Sequence, residues 1–129
     1  MKKNVILIET DQQRYDCLGC NDNPYIKTPN IDALAADGTV FTRHIAANPV
    51  CQPSRCSLFT GLYPPGHGVY TNGIALNRNE YINSHNADGL IFEPLTMADA
   101  FAKEGYATAS FGKLHLTPNI EYDSREHKC

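Results

Sequence analysis

A cysteine followed four residues later by an arginine stands at the start of a predicted helix. Cys51 comes just before Pro53, and Arg55 lies about one helical turn further on. The free N–H groups and the dipole of a helix N-terminus favour an anion there, and residues four apart share a helix face. A thiol beside an arginine in such a place suits nucleophilic attack on an anionic substrate. An arbitrary Cys-x-x-x-Arg is more often a buried cysteine with a surface arginine.

Two further groups of polar residues follow predicted strands. Asp11 and Gln12 come soon after the first strand, and Lys113 and His115 come soon after the last one. Open α/β sheets place their ligands beyond the carboxyl ends of the strands, so these side chains are candidates for one pocket. Taken alone, Lys113 and His115 are more often plain surface residues.

The elements that must position these residues alternate between strand and helix. Residues 4–10 and 106–111 have the short apolar runs of core strands in one parallel sheet, and residues 39–46 alternate like a further strand. The predicted helices span residues 28–37, 53–62 and 95–104. This order predicts an α/β fold, with a mainly parallel sheet flanked by helices.

Composition narrows the function classes. The 129 residues are 42% hydrophobic and 19% charged, which is typical of one globular domain. A net charge of −3 makes no basic footprint for nucleic acid or an anionic membrane. The apolar runs are too short for a signal peptide or a membrane span, so we expect a cytoplasmic location. Five cysteines favour free thiols, and the pair Cys17 and Cys20 lacks the second pair that a zinc site needs.

Three other residues have alternative interpretations. Cys56 is predicted to face the core from within the helix that carries Cys51. His44 falls in a predicted strand and is expected to be packed rather than catalytic. His67 lies in a Gly- and Asn-rich stretch, residues 63–93, that we expect to be a long surface loop. His67 either borders a cleft or has a structural role.

The string around Cys51 resembles the signature of type I, formylglycine-dependent sulfatases. The matching positions are Cys51, Pro53, Ser54, Arg55, Thr60 and Gly61. Residues 4–19, continued by residues 28–32, resemble the first metal-binding edge of that family, and residues 105–115 resemble its second signature. The three blocks occur in the family's order, and the resemblance covers residues 4 to about 118. Gln52, Phe111 and Gln12 depart from the commonest residues at their positions.

The resemblance implies a fold and a reaction. Residues 1–129 would be the N-terminal part of a sulfatase catalytic domain, a partial alkaline-phosphatase-like fold. The activity would be sulfuric-ester hydrolysis by a formylglycine made from Cys51, and a formylglycine-generating or anaerobic sulfatase-maturating enzyme would be the partner that makes it. Arg55 would orient the hydrated aldehyde, Lys113 would bind the sulfate oxygens of the substrate, and His115 would hold the nucleophile or the substrate.

The resemblance also implies a divalent cation. Asp11, Gln12 and the modified Cys51 would hold it, with Ca²⁺ favoured and Mg²⁺ or Mn²⁺ as alternatives. Family members are several times longer and complete the cation shell from their second half, so we expect this chain to be incomplete as an enzyme. Two alternatives stay open: a phosphonate or phosphate ester hydrolase of the same superfamily, which the Asp-Gln pair also fits, and a non-catalytic truncated chain.

Overall fold

A computed structural model describes residues 2–74, 76 and 96–116. Much of the predicted surface loop 63–93 and the polar tail after residue 118 lie outside the described residues. The chain divides into two compact units, residues 1–45 and residues 46–129. The signature cysteine and the Lys113–His115 segment belong to the second unit.

One helix and one tight turn organise the first unit. Helix α1 spans Pro29–Asp37, which confirms the predicted helix, and a 3₁₀ turn covers Gly19–Asn21. Thr28 joins the two: its hydroxyl accepts a hydrogen bond from Gly19 N at 2.8 Å and donates one to Asp32 at 2.8 Å. The Asp32 carboxylate in turn accepts from the backbone N of Cys20 at 2.7 Å. A side chain at Gly19 would overlap this carboxylate, which explains the glycine.

Three helices are described in the second unit. Helix α2 spans Cys51–Thr60 and ends at Gly61, whose φ of 70° is left-handed. Helix α3 spans Pro64–His67 and was not predicted, while α4 spans Met97–Lys103 within the predicted helix. Helix α2 packs against both of the others. No helix among the described residues has the length and apolarity needed to cross a membrane.

The core of the second unit forms around α2. Cys56 and Val69 are fully buried, and so is the polar side chain of Gln52. Helix α4 begins with a capping box, because the Thr96 side chain accepts from Asp99 N and the Asp99 carboxylate accepts from Thr96 N. Because Cys56 is fully buried, its predicted orientation toward the core is confirmed.

The described residues contain no β-strand. Residues 4–10 and 106–111 have no regular secondary structure, and the predicted strand 39–46 is interrupted by a turn. His44 is exposed there, so the prediction that it packs is wrong. A strand is stabilised by hydrogen bonds to a neighbouring strand, and an apolar run specifies burial without specifying that neighbour. The sheet is thus not observed in this part of the chain.

Candidate functional site

The N-terminus of α2 holds the candidate nucleophile. Helix α2 begins at Cys51, two residues before the predicted start, and the Cys51 side chain is half-buried. Val50, which precedes the helix, provides no side-chain cap. Asn72 replaces it: its side-chain oxygen accepts from Gln52 N at 3.1 Å and from the Cys51 thiol at 3.4 Å. Asn72 is not identifiable from the sequence, because nothing in a Gly- and Asn-rich stretch indicates which asparagine contacts the helix.

Arg55 joins α2 to the second signature block. Its side chain is 5% exposed, and its guanidinium Nη1 donates to the backbone oxygen of Lys113 at 2.7 Å. A buried guanidinium must have acceptors, since desolvating the charge without them is costly. The two residues are 58 positions apart in the chain. Arg55 is thus a buried link between segments, whereas the arginine of an arbitrary Cys-x-x-x-Arg is usually on the surface.

The segment that carries Lys113 and His115 follows an irregular path. Gly112 has φ 87° and His115 has φ 54°, both in the left-handed region. That conformation costs a residue with a side chain about 1–2 kcal/mol. Lys113 is exposed and His115 is half-buried. The segment is anchored at its end, where Leu116 O accepts from Leu76 N at 2.9 Å. Hydrogen bonds to the backbone oxygens of Lys113 and Leu116, rather than a regular ladder, hold the stretch that contains His115.

Asp11 and Gln12 belong to the first unit, where both are exposed. Gln12 has φ 58°, so it shares the left-handed backbone of His115. Their carboxylate and amide oxygens suit a hard cation, but Ca²⁺ takes 6–8 ligands and these two residues supply few of them. Within the described ranges, no three His, Cys, Asp or Glu side chains gather as a metal site would require. The donor chemistry fits a cation, and the number of donors falls short.

His67 is a buried structural histidine. It is 2% exposed, its Nδ1 accepts from Val69 N at 3.1 Å, and its Nε2 lies 2.9 Å from the Ser57 hydroxyl. Because Nδ1 accepts, the ring proton resides on Nε2 and is donated to Ser57. Burial lowers the pKa of His67, against smaller opposing effects of hydrogen bonds to the backbone of His67 itself and of Pro53. Of the two interpretations left open by the sequence, these contacts favour the structural one.

Cys56 and Cys51 lie on the same helix in different surroundings. Cys56 is fully buried, and desolvation raises the pKa of its thiol to about 11. Cys51 is partly accessible and lies beside the Asn72 amide at the helix N-terminus. Reactivity follows the thiolate and its accessibility. The arrangement therefore separates an inert core thiol from an available one.

Comparison with known proteins places this chain in a family. A family model described as Sulfatase matches residues 3–125. The chain is 40% identical over 120 residues to an arylsulfatase of Clostridium perfringens, an alignment covering 92% of this chain and 22% of the relative. It is 41% identical over 115 residues to an ulvan-active sulfatase of Formosa agariphila (89% and 20%). It is 40% identical over 113 residues to a steryl-sulfatase of Mus musculus (88% and 18%).

This chain belongs to the sulfatase family. The match extends over almost all of its residues and includes both signature blocks. The chain spans about a fifth of the length of the curated relatives it matches. No solved structure matches it significantly. Membership implies the α/β fold of alkaline-phosphatase-like proteins.

Proposed function

We propose that this chain provides the nucleophile of a sulfuric-ester hydrolase, with Cys51 converted to formylglycine. The observation that carries the proposal is the contact between the two signature blocks. Cys51 begins α2, and Arg55 of the same helix binds the backbone of Lys113. Residues far apart in the sequence thus gather around a helix N-terminus, which favours an anion.

Each residue has a defined role in this proposal. A formylglycine hydrate supplies a hard oxygen nucleophile where a thiol would be soft. The N-terminal N–H groups of α2 favour negative charge at position 51. Lys113 neutralises the sulfate oxygens of the substrate, and His115 holds the nucleophile or the substrate by a hydrogen bond. Arg55 orients the hydrated aldehyde and offsets its developing charge, and its hydrogen bond to Lys113 O holds the helix and the Lys113 segment together.

The divalent cation that the family implies would be bound by Asp11, Gln12 and the modified Cys51. Ca²⁺ is favoured because the donors are oxygens and the site tolerates a neutral amide, with Mg²⁺ or Mn²⁺ as alternatives. What supports this assignment is the donor chemistry and the position of both residues after the apolar run.

The substrate is proposed only as far as a sulfate ester. The names of the three relatives refer to aryl, ulvan and steryl compounds, so the molecule that bears the sulfate differs among them. Phosphonate or phosphate esters form the second candidate class, because the Asp11–Gln12 pair fits either. Comparing turnover of aryl sulfate and aryl phosphonate esters by active protein distinguishes the two.

Mass spectrometry of the signature peptide tests the proposal. We expect coexpression with a formylglycine-generating or anaerobic sulfatase-maturating enzyme to lower the mass of the Cys51 peptide by about 18 Da. Cys51→Ala should abolish this shift, while Cys56→Ala should retain it because Cys56 is not the modified residue. A thiol that persists at Cys51, while a known sulfatase peptide is converted in parallel, would overturn the proposal.

We also propose that residues 4–10 and 106–111 are parallel strands of the catalytic sheet. Four consecutive apolar side chains support this: Val5, Ile6, Leu7 and Ile8 are 60%, 83%, 52% and 78% exposed. Such an exposed apolar run is a surface that needs a partner. Slow amide exchange at residues 5–8 in catalytically active protein is the expected signature of pairing. Fast exchange there would contradict it.

A further inference from the structure

Gln52 uses its whole side chain to bridge separate segments. The residue follows Cys51 and is fully buried. Its Oε1 accepts from Gly73 N at 2.7 Å, and its Nε2 donates to Ile74 O at 2.5 Å and lies 3.4 Å from Leu116 O. A buried amide with all its main partners present is a specific polar anchor rather than a filler of space.

Gln52 and Arg55 together hold one segment at two points. They are three residues apart on α2, so they share a helix face. Arg55 donates to the backbone oxygen of Lys113, and Gln52 approaches that of Leu116. Leu76 N reinforces the second point by donating to the same Leu116 oxygen at 2.9 Å. Lys113 and His115 therefore lie on a stretch fastened at both ends to the helix that Cys51 begins.

We infer that Gln52 is a positioning residue, which fixes the segment Lys113–Leu116 against the start of α2. The segment needs such an anchor because His115 has a left-handed backbone that no regular ladder supports. Gln52 acts through the backbone of residues 73–74 and 116. The use of this position in sulfate ester hydrolysis rests on the proposed function, while the positioning itself does not.

The residue type is specific to this task. Methionine has nearly the shape of glutamine, but it would leave the Gly73 amide and the Ile74 carbonyl without the Gln52 partner, and the Leu116 carbonyl would keep only the bond from Leu76 N. Glutamate could still accept from Gly73 N, yet its second oxygen would face the oxygens of Ile74 and Leu116 and repel them. These two substitutions separate the accepting half of Gln52 from the donating half.

Amide hydrogen exchange of the thiol form of the chain, followed by NMR, tests the inference. In Gln52→Met we expect the Gly73 and Leu76 amides to exchange about tenfold faster. The Gly73 amide loses its acceptor, and the Leu116 oxygen that accepts from the Leu76 amide loses its contact with Gln52. In Gln52→Glu the Gly73 amide should stay protected while the Leu76 amide exchanges faster. If Gln52 only fills space, the Gly73 and Leu76 amides of Gln52→Met should exchange at the same rate as in the unsubstituted chain.

A short thiol–amine cross-linker between Cys51 and Lys113 reports the position directly. We expect the yield of the 51–113 link, measured by peptide mass spectrometry, to fall several-fold in both variants. Leu58→Ala is the matched control, because Leu58 is a half-exposed residue of the same helix and should preserve exchange and cross-linking. The inference would be overturned if Gln52→Glu left both the Leu76 amide exchange and the yield of the 51–113 link unchanged. This test still applies if Gln52→Met fails to fold.

The outcome is independent of the sulfatase chemistry. The measurements use the Cys51 thiol and require neither maturation nor turnover. An unconverted Cys51 would overturn the proposed function and leave the role of Gln52 standing. If the Gln52 variants left amide exchange and cross-linking unchanged, the role of Gln52 would be overturned and the proposed function would stand.

Discussion

At the scale of single residues, burial assigns different tasks to chemically identical groups. Cys51 is accessible at the first position of α2, whereas Cys56 is sealed in the core of the same helix. His67 is buried and paired with Ser57, whereas His44 is exposed. Each difference makes a measurable chemical contrast within one molecule.

Alkylation should distinguish the two cysteines of α2. At pH 8 we expect iodoacetamide to label Cys51 readily and Cys56 very slowly. A pKa raised from 9.0 to about 11 leaves about 100-fold less thiolate on Cys56 than on a thiol with the ordinary pKa. Burial of Cys56 also blocks access of the reagent. Peptide mass spectrometry measures both rates, and in urea the two should become similar. Comparable labelling in the folded protein would contradict the burial of Cys56.

The lowered pKa of His67 predicts acid sensitivity. Because the folded state binds the His67 proton less readily than the unfolded chain, stability is retained above pH 6.5, the ordinary value, and is lost as the pH falls below it. Urea unfolding at pH 7.5 and pH 5.5 should show a smaller loss in His67→Gln, which cannot be protonated. His44→Gln is the control and should keep the original pH dependence. Equal pH dependence in His67→Gln and the parent would refute this role.

At the scale of elements, helix ends are held by side chains from other segments. Asn72 caps α2 from a distance of 20 residues in the chain, and Gln52 binds the loop that carries it. In the first unit Thr28 and Asp32 tie α1 to the turn at Gly19. Part of the block that resembles a metal-binding edge therefore stabilises the local fold, which leaves Asp11 and Gln12 as its candidate ligands.

Removing the Asp32 carboxylate tests this assignment. We expect Asp32→Ala to destabilise the first unit by about 1–2 kcal/mol, because the Cys20 amide and the Thr28 hydroxyl lose their acceptor. Asp37→Ala is the matched control at the exposed end of α1 and should change stability by less than about 0.5 kcal/mol. Exchange of the Cys20 amide measures the effect. Equal exchange of the Cys20 amide in both variants would show that the hydrogen bonds to the Asp32 carboxylate do not stabilise the first unit.

At the scale of the whole molecule, the candidate residues are divided between two units. Asp11 and Gln12 lie in the first, and Cys51, Arg55 and the Lys113–His115 segment lie in the second. Their convergence on one pocket stays a prediction. The second unit unites two signature blocks through backbone contacts, so the nucleophile region is the better defined part of the site.

Turnover by the chain tests how complete the site is. We expect the matured 129-residue chain to hydrolyse an aryl sulfate poorly or not at all with Ca²⁺ present. Asp11 and Gln12 provide two protein ligands of a cation that takes 6–8, which leaves the nucleophile weakly held. Cys51→Ala sets the background rate. Substantial metal-dependent turnover that disappears in Cys51→Ala would show that these residues suffice.

Local signals in the sequence determined α1, the end of α2, most of α4 and the nucleophile motif, but they did not predict α3. Pro29 and Gly38 bound α1, Gly61 ends α2, and the prediction that Cys56 faces the core is confirmed. Such features depend on residues within one or two turns of each other. The family resemblance of the Cys51 string is equally local, and it is confirmed by the comparisons.

Only the tertiary structure decided which distant residues meet. Asn72 reaches the start of α2, Arg55 is buried against the Lys113 backbone, and Gln52 proves to be a bridge. None of these pairings is encoded by spacing, because a polar side chain can satisfy its hydrogen bonds with many partners and only the packed chain selects one. The predicted strands failed to appear in the described residues for the related reason that a strand depends on a neighbour which its own sequence does not specify.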